Sequence, residues 1–372
     1  MQTVRNRVAD ILGIDLPIVQ APMNYIAGHA LAAAVSAAGG MGVLGPNAGK
    51  VQGEEISMRE RTLREFARIR EVTDKPVGIN VVVPDGENKA ALMYARSTVE
   101  AAAEGGATAA FCVGGLQPTI FELIKEKGMK LIVQPLTPTV KNAREAQAMG
   151  ADIFVATGYD AGGFLPSHHT GTFSIVPTIV DAVTIPVLAA GGINDLRGVR
   201  AAFALGAEGV YVGTRFIATN ECAANDHAKE LICKLSGSNL LYVDETQRSL
   251  PTEFAAEAYV KHRLAPTVPT TVDLVGALRT GMYDGEPDKG IVTVNTGIDV
   301  IRSVVPAAQV VSELMADFLR YADFLKDKAR PKRQRRRLNV SCLTQNRRRC
   351  FRGSAVFSSS FVKKCWARRR QR

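Results

Sequence analysis

The chain is poor in the residues that staple small secreted or metal-bound folds. Its six cysteines include no CxxC pair, and three of them (Cys342, Cys350, Cys365) fall near the C-terminus beside the only tryptophan, Trp366. The others, Cys112, Cys222 and Cys233, are far apart, which argues against a zinc site or disulfide framework and for reduced thiols. No apolar run approaches the roughly 18 to 20 residues that a membrane-spanning helix requires. The N-terminus has no signal-like apolar core, because Asp10, Gly13 and Asp15 interrupt it. The expectation is a soluble, cytoplasmic protein. Acidic residues are missing from one region only: from Lys328 onward there are 17 Lys or Arg and no Asp or Glu. The remainder carries 29 basic against 36 acidic residues, so the formal charge of +10 belongs to the tail and the body is mildly acidic. A phosphate-binding surface needs positive charge, and the body therefore gives no electrostatic reason to bind nucleic acid.

What is abundant is a repeated pattern. Short apolar, β-branched runs recur at 17–23, 41–45, 77–83, 109–115, 130–136, 153–159, 186–192 and 209–216, with Ala-rich helical segments between them. Several of those segments stop at glycine ("AVSAAGG", "IKEKG", "AQAMG", "AFALG"), a helix C-terminal signal. The runs are continuously apolar, as parallel strands covered by helices are. Eight strand–helix alternations predict an α/β fold, a (β/α)8 TIM barrel. A doubly wound sheet is the rival reading, and "GMGVLG" at 40–45 matches GxGxxG. The dinucleotide fingerprint needs a strand before the glycines and a helix after them; here the order is reversed. The segmentation expected is a barrel over 1–221, a mainly helical subdomain at its mouth over 222–300, closing helices over 301–327 and a basic, disordered tail over 328–372.

Barrel enzymes carry their chemistry at the strand C-termini. Ala21, Pro22 and Met23 end the first run, Asn80 lies in the third and Gln134 in the fifth. Gly158, Tyr159, Gly162 and Gly163 follow the sixth, Ala190, Gly191 and Gly192 end the seventh, and Gly213, Thr214 and Arg215 end the eighth. Glycine-rich loops after strands seven and eight form the usual phosphate site of such barrels, since they expose backbone N–H groups. The small residues favour a flat ring lying against backbone. Asn80 and Gln134 could hydrogen-bond the edge of a polar heterocycle.

The strings "PIVQAPMNYIAGHALAAAVSAAGGMGVLG", "KPVGINVVVP", "AMGADIFVATGYDAGG" and "IPVLAAGGINDLRGVRAAFALGAEGVYVGTRFIATNEC" together resemble the nitronate monooxygenase (2-nitropropane dioxygenase) family, related to the FMN-dependent enoyl-acyl-carrier-protein reductases. The resemblance covers about residues 7 to 325. It implies FMN, with phosphate at Gly191, Gly192, Gly213 and Thr214, and with the Met23 backbone, Asn80 and Gly162-Gly163 near the ring. It implies an enzyme, nitronate monooxygenase-like, in which an alkyl nitronate and O2 give a carbonyl compound and nitrite. The alternative is an NAD(P)H-dependent flavin or enoyl-thioester reductase, and a second is an inactive flavin-carrying or basic-tailed nucleic-acid-binding protein.

This chain departs from the family at "DAGGFLPSHHTG" (160–171): family members commonly read AGGH, with a catalytic histidine, and Phe164 stands at that position. Phenylalanine cannot exchange a proton. His168 or His169 could fold back as the displaced base, an ionised nitronate could need none, or the substrate could differ. Tyr159 and Phe164 are the candidate substrate contacts, and Arg215 could face an anion or an outward ion pair. No metal site and no membrane partner are expected, and a homodimer is left open. The basic tail could bind nucleic acid, be a solvated extension, or arise from out-of-frame translation.

Overall fold

A computed structural model describes residues 6–51, 53–264 and 274–320; the basic tail lies outside them. Eight strands run in chain order: β1 (Ile18–Gln20), β2 (Gly42–Leu44), β3 (Val77–Val83), β4 (Ala109–Gly114), β5 (Lys130–Gln134), β6 (Ile153–Thr157), β7 (Val187–Ala190) and β8 (Gly209–Val212). Each lies inside one of the eight apolar runs. They pair in parallel in the order β1-β8-β7-β6-β5-β4-β3-β2. A parallel bridge between Val19 and Met41 joins the two ends, with the Met41 N–H donating to the Ile18 carbonyl at 2.9 Å. The fold is a (β/α)8 barrel.

Helix α1 (Arg7–Leu12) precedes β1. Then α2 (His29–Ala37), α3 (Met58–Arg70), α4 (Lys89–Glu104), α5 (Pro118–Glu126), α6 (Val140–Ala148), α7 (Thr172–Val180), α8 (Leu196–Ala204) and the single turn α9 (Thr214–Ile217) follow the eight strands one by one. The barrel interior is filled rather than hollow: Val19, Met41, Val43, Phe111, Ile132, Val155, Leu188 and Tyr211 meet there, and Val8 and Leu12, one turn apart on α1, pack into the same cluster. The GxGxxG match is structural. A Cβ on Gly42 would stand 2.0 Å from the Ala32 carbonyl oxygen and one on Gly45 2.2 Å from that of Met23, so these glycines let α2 and the β1 loop approach β2.

Beyond the barrel come α10 (Asp226–Lys234), α11 (Glu253–Leu264), α12 (Leu274–Met282) and α13 (Ala307–Leu314). The region expected to be mainly helical, 222–300, also holds strands: β9 (Leu241–Tyr242) and β10 (Arg248–Ser249) form a short antiparallel ribbon. Two-residue strands carry no alternation to read, and this one is set by tertiary contacts. Val243, Ala255, Ala258, Ala277 and Ile291 build a small core under it. These elements and the barrel make up one compact unit that ends at Ala316.

Candidate active site

The strand C-termini open into a cavity of about 940 Å³. Its wall includes Ala21, Pro22, Met23, Asn80, Gln134, Gly162, Gly163, Phe164, Ala190, Gly191, Gly192, Gly213 and Thr214. The barrel thus gathers residues that are separated by almost 200 positions. Among the described residues the wall carries no Lys, Arg or His, and it does carry the Asp85 carboxylate. Val82, Tyr94, Leu136 and Phe164 line it and are 43 to 53% exposed, giving the cavity an apolar mouth.

The loops after β7 and β8 have the chemistry of an anion cradle. The Gly191 carbonyl accepts from Thr172 Oγ1 at 3.0 Å, and Thr172 is not on the cavity wall. In a planar trans peptide the N–H points opposite to the carbonyl, so the Gly192 N–H points away from Thr172. The backbone needed for this turn is left-handed at both residues, φ +107° and +72°, which glycine adopts without strain. Across the gap, Thr214 Oγ1 accepts from the Asn295 N–H at 3.0 Å. A hydroxyl has one proton to give, and among the described residues no protein acceptor takes that of Thr214, so it can go to a ligand. Asn295 is itself fixed by a reciprocal amide pair with Asn194, at 2.9 and 2.8 Å.

On the opposite wall, Asn80 Nδ2 donates to the Phe111 carbonyl at 3.1 Å and Gln134 Nε2 to Thr157 Oγ1 at 3.2 Å. Each amide therefore keeps a carbonyl oxygen as acceptor. Tyr211, on the inner face of β8, stacks on Phe111 at 5.9 Å between ring centroids. Its hydroxyl is buried without a partner, and burial pushes its pKa well above the usual tyrosine value. A second buried orphan on the wall is Gln247 Oε1, from the segment leading into β10. Leaving such atoms unpaired costs about 1–3 kcal/mol each. A polar ligand could relieve this.

Four expectations fail geometrically. His168 and His169 are exposed and lie outside the cavity wall; the His169 ring packs at 4.3 Å on Tyr159 instead. Tyr159 also faces away from the cavity, into a stack with Tyr242 and the Arg248 guanidinium, 5.1 Å from its centroid. Burial, then its bond with Tyr242, holds its pKa up at about 12. Gly158 is absent from the wall because its Cα faces α7: a Cβ there would lie 2.3 Å from Thr172 N. Arg215 forms no salt bridge among the described residues. It is buried and donates to the carbonyls of Ala218 and Ser303 at 3.3 and 3.4 Å, and burial lowers its pKa.

Sequence reasoning missed the clamp behind the β6 loop. Arg248, 2% exposed, donates through Nη2 to the carbonyls of Tyr159 and Ala161, the latter at 2.8 Å. It also missed Gln247, Asn295 and Tyr211. The first two lie in a stretch with no strand or helix period to mark them, and Tyr211 sits inside an apolar run.

Fold and site together give a (β/α)8 barrel with a glycine-lined cavity at the C-terminal ends of its strands. The nitronate monooxygenase family model matches residues 5–317, and the chain belongs to that family, hence to the FMN-dependent oxidoreductases. It is 31% identical to FabK from Thermotoga maritima, over 87% of this chain and 99% of that one, with a TM-score of 0.73. It is 29% identical to a probable nitronate monooxygenase of Staphylococcus saprophyticus, over 73% of this chain and 86% of that protein. It is 34% identical to (3aS,4S,5R,7aS)-5-hydroxy-7a-methyl-1-oxo-octahydro-1H-indene-4-carboxyl-CoA dehydrogenase of Rhodococcus jostii, over 62% of this chain. That match spans 60% of the dehydrogenase, less than two thirds of its length.

Proposed function

We propose that the cavity holds FMN and that the protein exchanges hydride between NAD(P)H, the flavin and a large apolar acyl thioester. The residues fit the cofactor. Gly192 N–H and the Thr214 hydroxyl would hold its phosphate, with Gly191 and Gly213 giving backbone clearance. Ala21, Pro22, the Met23 backbone, Gly162 and Gly163 would flank the ring, and the carbonyl oxygens of Asn80 and Gln134 would accept from its polar edge. Bound FMN supplies a carrier that takes and gives hydride.

The observation that carries the substrate class is the apolar mouth. A 940 Å³ cavity lies at the upper end of the range for drug-sized ligands, roughly 300 to 1,000 Å³, so it has room for a cofactor and a second bulky molecule. Val82, Tyr94, Leu136 and Phe164 would cover apolar substrate and keep water from it. The Rhodococcus relative, named as a carboxyl-CoA dehydrogenase, supports a thioester.

A second reading, oxidation of an alkyl nitronate with O2 to carbonyl compound and nitrite, is favoured by the family match over 5–317. A nitronate is already ionised, so the lack of a base at Phe164 is no obstacle to it. One experiment separates the two. The flavoprotein is reduced anaerobically with NADH and mixed with trans-2-decenoyl-CoA, and separately the oxidised protein is mixed anaerobically with propyl nitronate. Bleaching by NADH followed by reoxidation with the thioester is the expected result; bleaching by the nitronate alone would reject the thioester reading in favour of the second.

A further inference from the structure

Two pairs of asparagines bond through their side-chain amides at the cavity, and they differ in how they are closed. Asn194 and Asn295 donate to each other, at 2.9 and 2.8 Å, so the donor and the acceptor of the shared edge are both used. The second pair is open. Asn47 Nδ2 donates to Asn24 Oδ1 at 3.0 Å and no bond returns. Among the described residues no protein group accepts from Asn24 Nδ2 or donates to Asn47 Oδ1, and both residues line the cavity. An amide carries donors on its nitrogen and an acceptor on its oxygen. The open pair therefore offers a ligand one donor and one acceptor from neighbouring side chains, with no charge on either.

The backbone holds this pair in place at a cost. Among the described residues only Tyr25 (φ +63°) and Asn47 (φ +54°) are left-handed without being glycine. One follows Asn24 and the other is a member of the pair. Asparagine tolerates that region, but a bulky aromatic rarely adopts it. Tyr25 is kept there by its N–H, which donates to the Pro46 carbonyl at 2.9 Å and so ties the loop after β1 to the loop after β2. Its ring also packs on Tyr283, at 6.2 Å between centroids, and under the Arg279 guanidinium at 5.5 Å. Strain of this kind persists only where the surroundings over-determine it, and it gathers at ligand sites.

We propose that Asn24 and Asn47 bind a primary carboxamide, that of the nicotinamide of NAD(P)H: Asn24 Nδ2 donates to its carbonyl oxygen, and its NH2 donates to Asn47 Oδ1. A primary carboxamide carries its oxygen and an N–H side by side on one edge, as the open pair requires. A trans secondary amide, such as those of a pantetheine arm, points the two in opposite directions and cannot satisfy both. The assignment rests on the reading given above, in which NAD(P)H is the hydride source. Hydride exchange needs the nicotinamide ring to lie against the cofactor, and Asn24 directly follows Met23, whose backbone flanks the flavin in that reading. Amides do not titrate near neutrality, so the pair orients the ring without exchanging a proton.

The test titrates the oxidised flavoprotein with NAD+ and with 3-acetylpyridine adenine dinucleotide, reading the shift of the flavin spectrum. The second ligand replaces the carboxamide NH2 with methyl and keeps the carbonyl, the adenine and the phosphates. Wild type, Asn47→Gly, Asn24→Ala and Val51→Ala are compared, with flavin content, unfolding midpoint and anaerobic bleaching by NADH measured on each. Glycine replaces Asn47 because it accepts the left-handed backbone without strain. Val51 is exposed and not on the wall, and serves as the loop control. Wild type should bind NAD+ about five- to tenfold more tightly than the analogue, the worth of one hydrogen bond. Asn47→Gly should weaken NAD+ by that factor and leave the analogue unchanged, closing the gap. Asn24→Ala should weaken both ligands, which share the carbonyl, and Val51→Ala should match wild type. Equal affinity of wild type for the two ligands would overturn the proposal without recourse to any variant. Equal weakening of both by Asn47→Gly would also overturn it, since adenine on the pair would give that result, as would a closed gap in Val51→Ala. If NADH bleaches the flavin alongside any of these contrary results, only the carboxamide site is rejected. If NADH does not bleach it and neither ligand binds, the NAD(P)H reading and the site are rejected together.

Discussion

Phe164 offers the wall no proton to exchange. The titratable side chains that line the cavity are Asp85, Tyr94 and Tyr211, with no Lys, Arg or His among the described residues, so turnover should vary little between about pH 6 and 8. Phe164→His would add a group with a pKa of about 6.5 at a half-exposed position, so a new limb should appear, with rate changing through that value as the imidazole loses its proton. A pH–rate profile of the two proteins checks this; a matching limb in wild type would reveal a base elsewhere. The glycines beside it differ in kind. A Cβ on Gly162 would stand 2.6 Å from the Val294 carbonyl carbon, backbone that must shift, and Gly162→Ala should cost about 1–3 kcal/mol in urea denaturation. Gly163 has φ +76° with nothing within 4 Å of a Cβ, so Gly163→Ala should cost only the roughly 1 kcal/mol of left-handed backbone. Thiols give a further residue-level check. Burial pushes Cys222 up to about 11 from 9.0 and raises Cys112 further. Both should resist alkylation at pH 8 in the native protein by peptide mapping, whereas half-buried Cys233 should label first. A thiol whose folded pKa is raised contributes stability below its unfolded value, so that part is lost as the pH climbs from about 9 to about 11.

The ribbon β9–β10 links the outer elements to the barrel mouth. Arg248 bonds two carbonyls of the β6 loop, lies over the rings of Tyr159 and Tyr242 at 5.1 and 5.7 Å, and has no carboxylate in salt-bridge range among the described residues. Lysine has a point charge where arginine has a planar fork. Arg248→Lys should therefore destabilise the body by about 2 kcal/mol and loosen the loop, read as a lower urea midpoint together with faster flavin release; a change in midpoint with flavin release unaltered would mean the loop does not depend on the clamp. The same elements explain what the sequence makes legible. Buried parallel strands are continuous apolar runs, so all eight show, and the glycines of β7 and β8 are visible because loop chemistry is local. Gln247 is not visible: in "DETQRSL" it reads as a surface polar residue, and only its bridge to Phe164 brings it to the wall. His168 and His169 attract notice beside the glycines, yet the chain turns them outward after Leu165.

The unit that ends at Ala316 is a filled barrel with an extension that supplies part of the cavity wall, Gln247, Leu278, Met282, Thr293 and Asn295. These five residues from beyond the barrel are thus part of the site as well as its surroundings. No helix among the described residues is long and apolar enough to cross a membrane. The excess of positive charge lies, in sequence, from Lys328 onward, after the last cavity residue, Asn295. The central claim is that this cavity, with its glycine cradle and amide wall, holds one FMN. It is tested most directly by releasing and identifying the flavin from the purified full-length protein. The account predicts FMN at close to one per chain, and a large loss on Thr214→Val, which removes the cradle's free hydroxyl proton. FAD, no flavin, or full FMN retention by Thr214→Val with undiminished affinity would contradict it.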